Sequence, residues 1–166
     1  MPTVSVRYGF RQPLAAPANE AYAWCTDFGP EDGPLFSEPT RRSVRRISED
    51  ALVMTDTTGP EGRRRRIQRL VRLNPEERAW TSTHLDGPFR GSQYWYRILP
   101  DGPNRSHLEF RGLRLESSPR RLSAGDVARR VEDCRRTDSG EWRRWLAPAL
   151  EKDLGAGARK RAAGDR

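Results

Sequence analysis

Residues 4–12, VSVRYGFRQ, alternate between two faces: Val4, Val6, Tyr8 and Phe10 share one, and Ser5, Arg7, Gly9 and Arg11 share the other. A period of two is the mark of a half-buried strand. Pro13 and Pro17 end it, and PANEAYAWCTDF then predicts a helix opening at Pro17 or Ala18, with Ala21, Trp24, Cys25 and Phe28 on one stripe. The helical region is placed over 18–36, with GPEDGP at 29–34 as turn chemistry inside it. Beyond it, Arg41–Ser48, EDALVMTDTT and the stretch 63–73 read as consecutive hairpin strands. NPEER, LDGPFRG and PDGPN supply three more turns, and between them lie AWTSTHL, SQYWYRIL and SHLEFRGLRLE, rich in aromatic and β-branched residues. The pattern predicts seven strands, six of them in succession after the helical insertion.

From Ala124 to Leu154 the period changes. Val127, Val131, Cys134, Trp142, Trp145 and Ala149 recur at helical spacing and predict a long C-terminal helix. Asp138 and Gly140 interrupt that stripe and Pro148 is able to kink it, so one bent helix and two shorter ones both fit the pattern. Residues 155–166 read as a flexible basic tail. No internal repeat is present.

This order of strand, short helical segment, six antiparallel strands and long helix resembles the START-like helix-grip superfamily (SRPBCC), which includes polyketide cyclases and small lipid-binding proteins. The resemblance covers residues 3–154 and is carried by the opening VSVRYGFRQPLAAPANEAYAWCTDF and the closing EWRRWLAPALEKDL. It implies an α+β fold in which a curved seven-stranded antiparallel sheet wraps around the C-terminal helix, as a single domain over 1–154. It also implies a cavity between them for a hydrophobic or amphipathic small molecule such as a lipid, quinone or polyketide. Members of such a fold differ in whether they carry, cyclise or assist, so reaction does not follow from fold.

Composition narrows this picture. The chain has 166 residues, 34% hydrophobic and 33% charged, with five Trp, five Phe and four Tyr, so one aromatic-rich core with a thin or partly hollow centre is expected. The net charge of +8 favours anionic partners on electrostatic grounds. Lys152 and Lys160 are its only lysines, and an arginine skew of this kind also arises from a GC-rich genome without any binding role. Cys25 and Cys134 stand far apart, which supports neither a zinc site nor a disulfide. No basic leader with an apolar run opens the chain and nowhere do about 18 apolar residues run together, so a cytoplasmic protein without a membrane span is expected. Oligomeric state is not legible.

The run GRRRRIQRL at 62–70 poses the sharpest question. As a strand, it puts Arg64, Arg66 and Arg72 on one face, with Arg7 and Arg11 and either Arg42 or Arg45, as a solvated surface that also guards a sheet against edge association. Binding of nucleic acid would need stacking aromatics or a groove-reading helix, and neither pattern is present. A basic-surface module for nucleic acid or acidic partners is therefore the third reading.

The opposite face of that strand, Arg65, Ile67, Arg69, Val71 and Leu73, looks inward. It carries Arg69 to where a guanidinium needs a carboxylate or a ligand anion. Asp138, four residues from both Cys134 and Trp142, is one partner for it. Otherwise Asp138 or Ser139 caps a second helix segment near Glu141 and Arg69 reaches an edge. His84 shares a parity with Trp80 and Ser82 and is the side chain suited to proton exchange, although the parity of Thr81, Thr83 and Leu85 is also open. His107 alternates against Leu108 and Phe110 and is expected to face water. Tyr94 and Tyr96 share a face with Ile98.

Trp24, Arg69, Trp80, His84, Tyr94, Tyr96, Phe110, Trp142 and Trp145 are thus the expected ligand contacts, and His84 and Asp138 the catalytic candidates. No metal or cofactor site can be assembled. The leading expectation is non-catalytic binding or transport of the small molecule. A cyclase/dehydratase-type enzyme is the runner-up.

Overall fold

The computed structural model describes residues 3–35 and 40–164. Strand β1 (Thr3–Leu14) is followed by helix α1 (Ala18–Cys25), a 3-10 segment (Pro30–Leu35) and six strands. These are β2 (Thr40–Ser48), β3 (Ala51–Thr58), β4 (Arg65–Asn74), β5 (Ala79–His84), β6 (Gln93–Pro100) and β7 (Ser106–Ser117). They form one antiparallel sheet in the order β1-β7-β6-β5-β4-β3-β2, so β1 crosses to pair with the last strand and β2 is left at the other edge. The curved sheet and the long C-terminal helix make the helix-grip arrangement.

Alternation along β1 becomes burial: Val6 and Tyr8 lie in the core beside Leu52, Ile98, Leu108 and Leu150, with Val4 and Phe10 packed against them. The same parity rule fixes β5 and β6, where Trp80 and Ser82 are buried and Tyr94, Tyr96 and Ile98 face in. Of the arginine run, Arg63 and Arg64 lie in the β3–β4 loop, and Arg65 and Arg66 begin β4 exposed. Arg65, expected to follow the inward face, is thus too near the strand end to be covered.

Ser123 opens the C-terminal helix with a capping box: its hydroxyl accepts from the Asp126 backbone N–H at 3.1 Å, and the Asp126 carboxylate accepts from the Ser123 N–H at 3.1 Å. Helix α2 (Ala124–Glu141) then passes Asp138 and Ser139 without a break, so neither residue caps a second segment. The irregularity comes later. A π turn spans Trp142–Leu146, with the Ala147 N–H bonded to the Trp142 carbonyl, and α3 (Ala147–Gly164) continues from it. Pro148 supplies the cause: it has no N–H to give the Arg144 carbonyl and its ring crowds that oxygen, and a widened turn relieves the clash while the helix goes on. Helix α3 continues through Gly164.

Two further expectations are resolved by burial. Of the two alternatives for the solvated surface, Arg45 is exposed, whereas Arg42 is 6% exposed and faces inward on the parity of Val44. His107 lies on the outer face as its parity requires, but only 7% of it is exposed. Arg11 and Asp101 contact its two ring nitrogens and roof it over.

Candidate functional site

Between the sheet and the helical elements lies a cavity of about 120 Å³, open on one side. The sheet supplies Arg42, Met54, Arg69, Val71, Ser82 and Tyr96. Trp80, stacked on Tyr96 with centroids 4.8 Å apart and planes 1° from parallel, makes a flat wall. The lid side comes from Trp24 and Cys25 of α1, from Phe28 and Asp32 beyond it, and from Trp142 and Leu146 of the π turn. Phe28 reaches the cavity because the chain turns sharply after α1, with φ 39 at this residue. A left-handed backbone costs a side-chain-bearing residue about 1–2 kcal/mol, so the position is held by its surroundings. Trp24 is fixed from the other side, its indole N–H donating to Asp153 of α3 at 2.9 Å.

The polar floor is a chain of four charges. Asp56 accepts from Arg42 Nε at 2.8 Å and Nη2 at 3.0 Å, and from Arg69 Nη2 at 3.0 Å. Arg42 Nη1 then donates to Asp32 at 3.1 Å. Arg42 and Asp56 are almost wholly buried, with side chains 3% and 5% exposed. Burial pushes the Asp32 carboxyl up, and Arg42 opposes that shift. The partner of Arg69 is therefore Asp56 and not Asp138. Arg69 Nε and Ser82 Oγ are buried with no hydrogen-bond partner among the described residues.

Asp138 instead accepts a hydrogen bond from the Tyr8 hydroxyl. Burial raises its carboxyl, with the Tyr8 bond and the Arg114 charge acting against that. Tyr8 can lie here because Gly112 of β7 faces it: a Cβ at that position would sit 2.7 Å from the Tyr8 ring. Phe110, Tyr94 and His84 continue an aromatic row from this pair toward the cavity. Phe110 is 6.0 Å from Tyr94, and Tyr94 is 5.3 Å from His84, centroid to centroid.

Of the expected contacts, Trp24, Arg69, Trp80, Tyr96 and Trp142 line the cavity. His84, Tyr94, Phe110 and Asp138 lie outside its lining. Trp145 is 47% exposed and points away from the interior. The π turn explains this, because a turn closed at i+5 holds roughly one residue more and brings Leu146, instead of Trp145, under Trp142. Asp56, Arg42, Ser82 and Phe28, which the sequence reading did not place among the ligand contacts, contribute to the floor and the lid. Among the described residues, no group of three His, Cys, Asp or Glu side chains is gathered as a metal site, and no helix is long and apolar enough to cross a membrane.

The His84 imidazole is pushed down to about 4, chiefly by burial and then by the Arg69 and Arg114 charges. It is neutral at pH 7, and as a base it is weak. In the unfolded chain it titrates near 6.5, so between about pH 6.5 and 4 the unfolded state holds the extra proton and stability falls as pH falls. His84→Gln should flatten the stability–pH curve in that window, where one such group contributes at most about 1.4 kcal/mol per pH unit. Urea midpoints measured from pH 4.5 to 7 check this, and an unchanged slope would show that His84 is hydrated.

No family model and no curated protein matches the chain. Solved structures do. The Zhui aromatase/cyclase of a Streptomyces species superposes with a TM-score of 0.72 at 13% identity, covering 91% of this chain and 96% of that one. A START superfamily protein from Mycobacterium smegmatis gives 0.67 at 13% identity, with 88% and 97% covered. A norcoclaurine synthase variant from Thalictrum flavum, in complex with a transition-state analogue, gives 0.67 at 11% identity, with 93% and 99% covered. At these identities the matches show the fold alone, which is START-like.

Proposed function

We propose that this protein binds and carries a hydrophobic or amphipathic small molecule in the cavity between its sheet and its C-terminal helix. The observation that carries the reading is an aromatic-walled cavity, open on one side, whose floor holds the charged Arg69 side chain. Apolar walls with a few placed polar groups are what a small-molecule site consists of. The neighbours in fold include a cyclase, a synthase and a START superfamily protein. Carriage is preferred to turnover because His84 and Asp138 both stand outside the cavity lining.

Native mass spectrometry of the purified protein, followed by denaturation, tests this directly. A defined extra mass that is lost on unfolding is expected. A bare mass that stays unchanged after incubation with apolar and aromatic compounds would count against a carrier.

The cyclase/dehydratase reading is favoured by one feature, the partly buried Asp138 carboxyl held by Tyr8. Turnover of a cyclisable polyketide, lost in Asp138→Asn while ligand affinity stays, would establish it.

A further inference from the structure

We infer that the outer face of the sheet, on the side away from the cavity, binds single-stranded nucleic acid, with a base stacked on Trp95 and phosphates met by Arg7 and Arg111. Alternation turns Arg7 and Arg11 of β1, Arg45 of β2, Arg72 of β4, Arg97 of β6 and Arg111 of β7 outward, and all of them are exposed. Glu109 is the one carboxylate at an outward strand position among the described residues. It lies beside Arg11 and His107, and Arg97 pairs with Glu77. Arg7 and Arg111 enter no ion pair among the described residues, so their charge is available to a partner.

The register sets an aromatic ring among these charges. Gly9, Arg111, Trp95, Thr81 and Arg72 are successive cross-strand partners on β1, β7, β6, β5 and β4, a row about 19 Å wide at the spacing of paired strands. An open groove of about 810 Å³ lies over part of this row, and Arg7, Gly9, Thr81, Trp95 and Arg111 help to line it. Gly9 and Thr81 are small and leave a floor between the larger side chains. At Gly9 a Cβ would sit 2.8 Å from the Phe110 carbonyl oxygen, so the floor cannot be filled there without a shift of the strands. The Trp95 side chain is 39% exposed, and no other ring or cation among the described residues stacks on it.

Charge and shape together choose the occupant. Guanidiniums spread over several strands suit a chain of phosphates, which arginine meets with paired, charge-assisted hydrogen bonds. An acidic polypeptide would answer the arginines and leave the ring of Trp95 unmatched, whereas every nucleobase offers a π face. A duplex keeps its base faces stacked inside the helix, so a single strand is what can use the ring. A bilayer favours aromatic rings that project to the headgroup level, and Trp95 lies in a groove with more than half of its surface covered.

Fluorescence anisotropy of the native protein with an end-labelled oligothymidine of about 12 nucleotides tests the inference. Affinity should fall about tenfold between about 50 and 200 mM salt, as expected when two phosphates are neutralised. Trp95→Ala should weaken binding about tenfold at the lower salt, and Trp95→Tyr should keep most of it, because stacking needs a ring. Arg111→Gln should lower affinity and make the log–log salt dependence shallower by about 0.7. All three substitutions lie at exposed outward positions, and urea midpoints near the native value would confirm that each variant is folded. Absence of binding at the lower salt would overturn the inference. Native affinity in Trp95→Ala, or equally tight binding of a duplex or of polyglutamate of matched length, would also overturn it, by marking a surface for polyanions in general. Tighter binding of phosphatidylserine vesicles than of the oligonucleotide would give this face to a membrane instead.

Discussion

Asp56→Ala should cost about 3–5 kcal/mol of folding stability, the loss expected when one partner of a buried ion pair is removed. Asp56 accepts three hydrogen bonds from two guanidiniums, and the Arg42 side chain is 3% exposed. Without the carboxylate, the nearly buried Arg42 guanidinium would lose its two bonds to Asp56 and face the Arg69 charge across the vacated space. Urea unfolding measures the loss. The sharper comparison is the double variant Asp56→Leu with Arg42→Met, which removes both charges and keeps apolar volume. It should recover a large part of the stability, because replacing a buried pair by packed apolar groups is often close to neutral. A loss below about 1 kcal/mol in Asp56→Ala would show that water already reaches the cluster.

Trp80→Ala should cost a similar amount, about 3–5 kcal/mol, by a different route. Its ring is 4% exposed, stacked on Tyr96 and tilted against Tyr22 at 6.1 Å. Truncation deletes one wall of the cavity and leaves a void that β4 and β6, held by their ladders, cannot close. The enlarged cavity should then accept naphthalene, a two-ring guest, more tightly than the native protein does. Urea unfolding and titration with naphthalene measure the two effects. If stability falls while naphthalene affinity stays level, Tyr22 or Trp142 has collapsed into the space and the cavity shape is set by more than Trp80.

The fold was legible because its elements declare their periods. VSVRYGFRQ shows alternation over nine residues, and the change to helical spacing after Ala124 is equally plain. The site was half legible. In EDALVMTDTT, the residues Leu52, Met54 and Asp56 share one parity, so the buried carboxylate was written in the pattern, but an apolar reading stops at Met54. In β2, arginines stand on both parities and Val44 alone marks the inward one, a signal too slight to single out Arg42. Asp138 shares its helix stripe with Trp142, which made it look like the partner of Arg69. That contact depends on how deeply the helix sits in the sheet, and spacing along one element carries no such distance. The lid position of Phe28 hangs on a single left-handed residue, which composition does not signal. Pro148 announced a disturbance, but whether a proline kinks a helix or widens a turn is decided by the packing around it.

That widened turn also bears on how the chain can change length. Closing at i+5 means that the segment Trp142–Leu146 holds one residue more than an ordinary α-helical stretch spanning the same rise. A related gene carrying a single-codon deletion between 142 and 147, together with a non-proline at 148, could make an uninterrupted α-helix there. It would still present Leu150 to the core and Asp153 to Trp24 at the same angle. A gap in the middle of a helix, ordinarily a sign of misalignment between two sequences, would at this one place be an evolutionary change that the architecture absorbs.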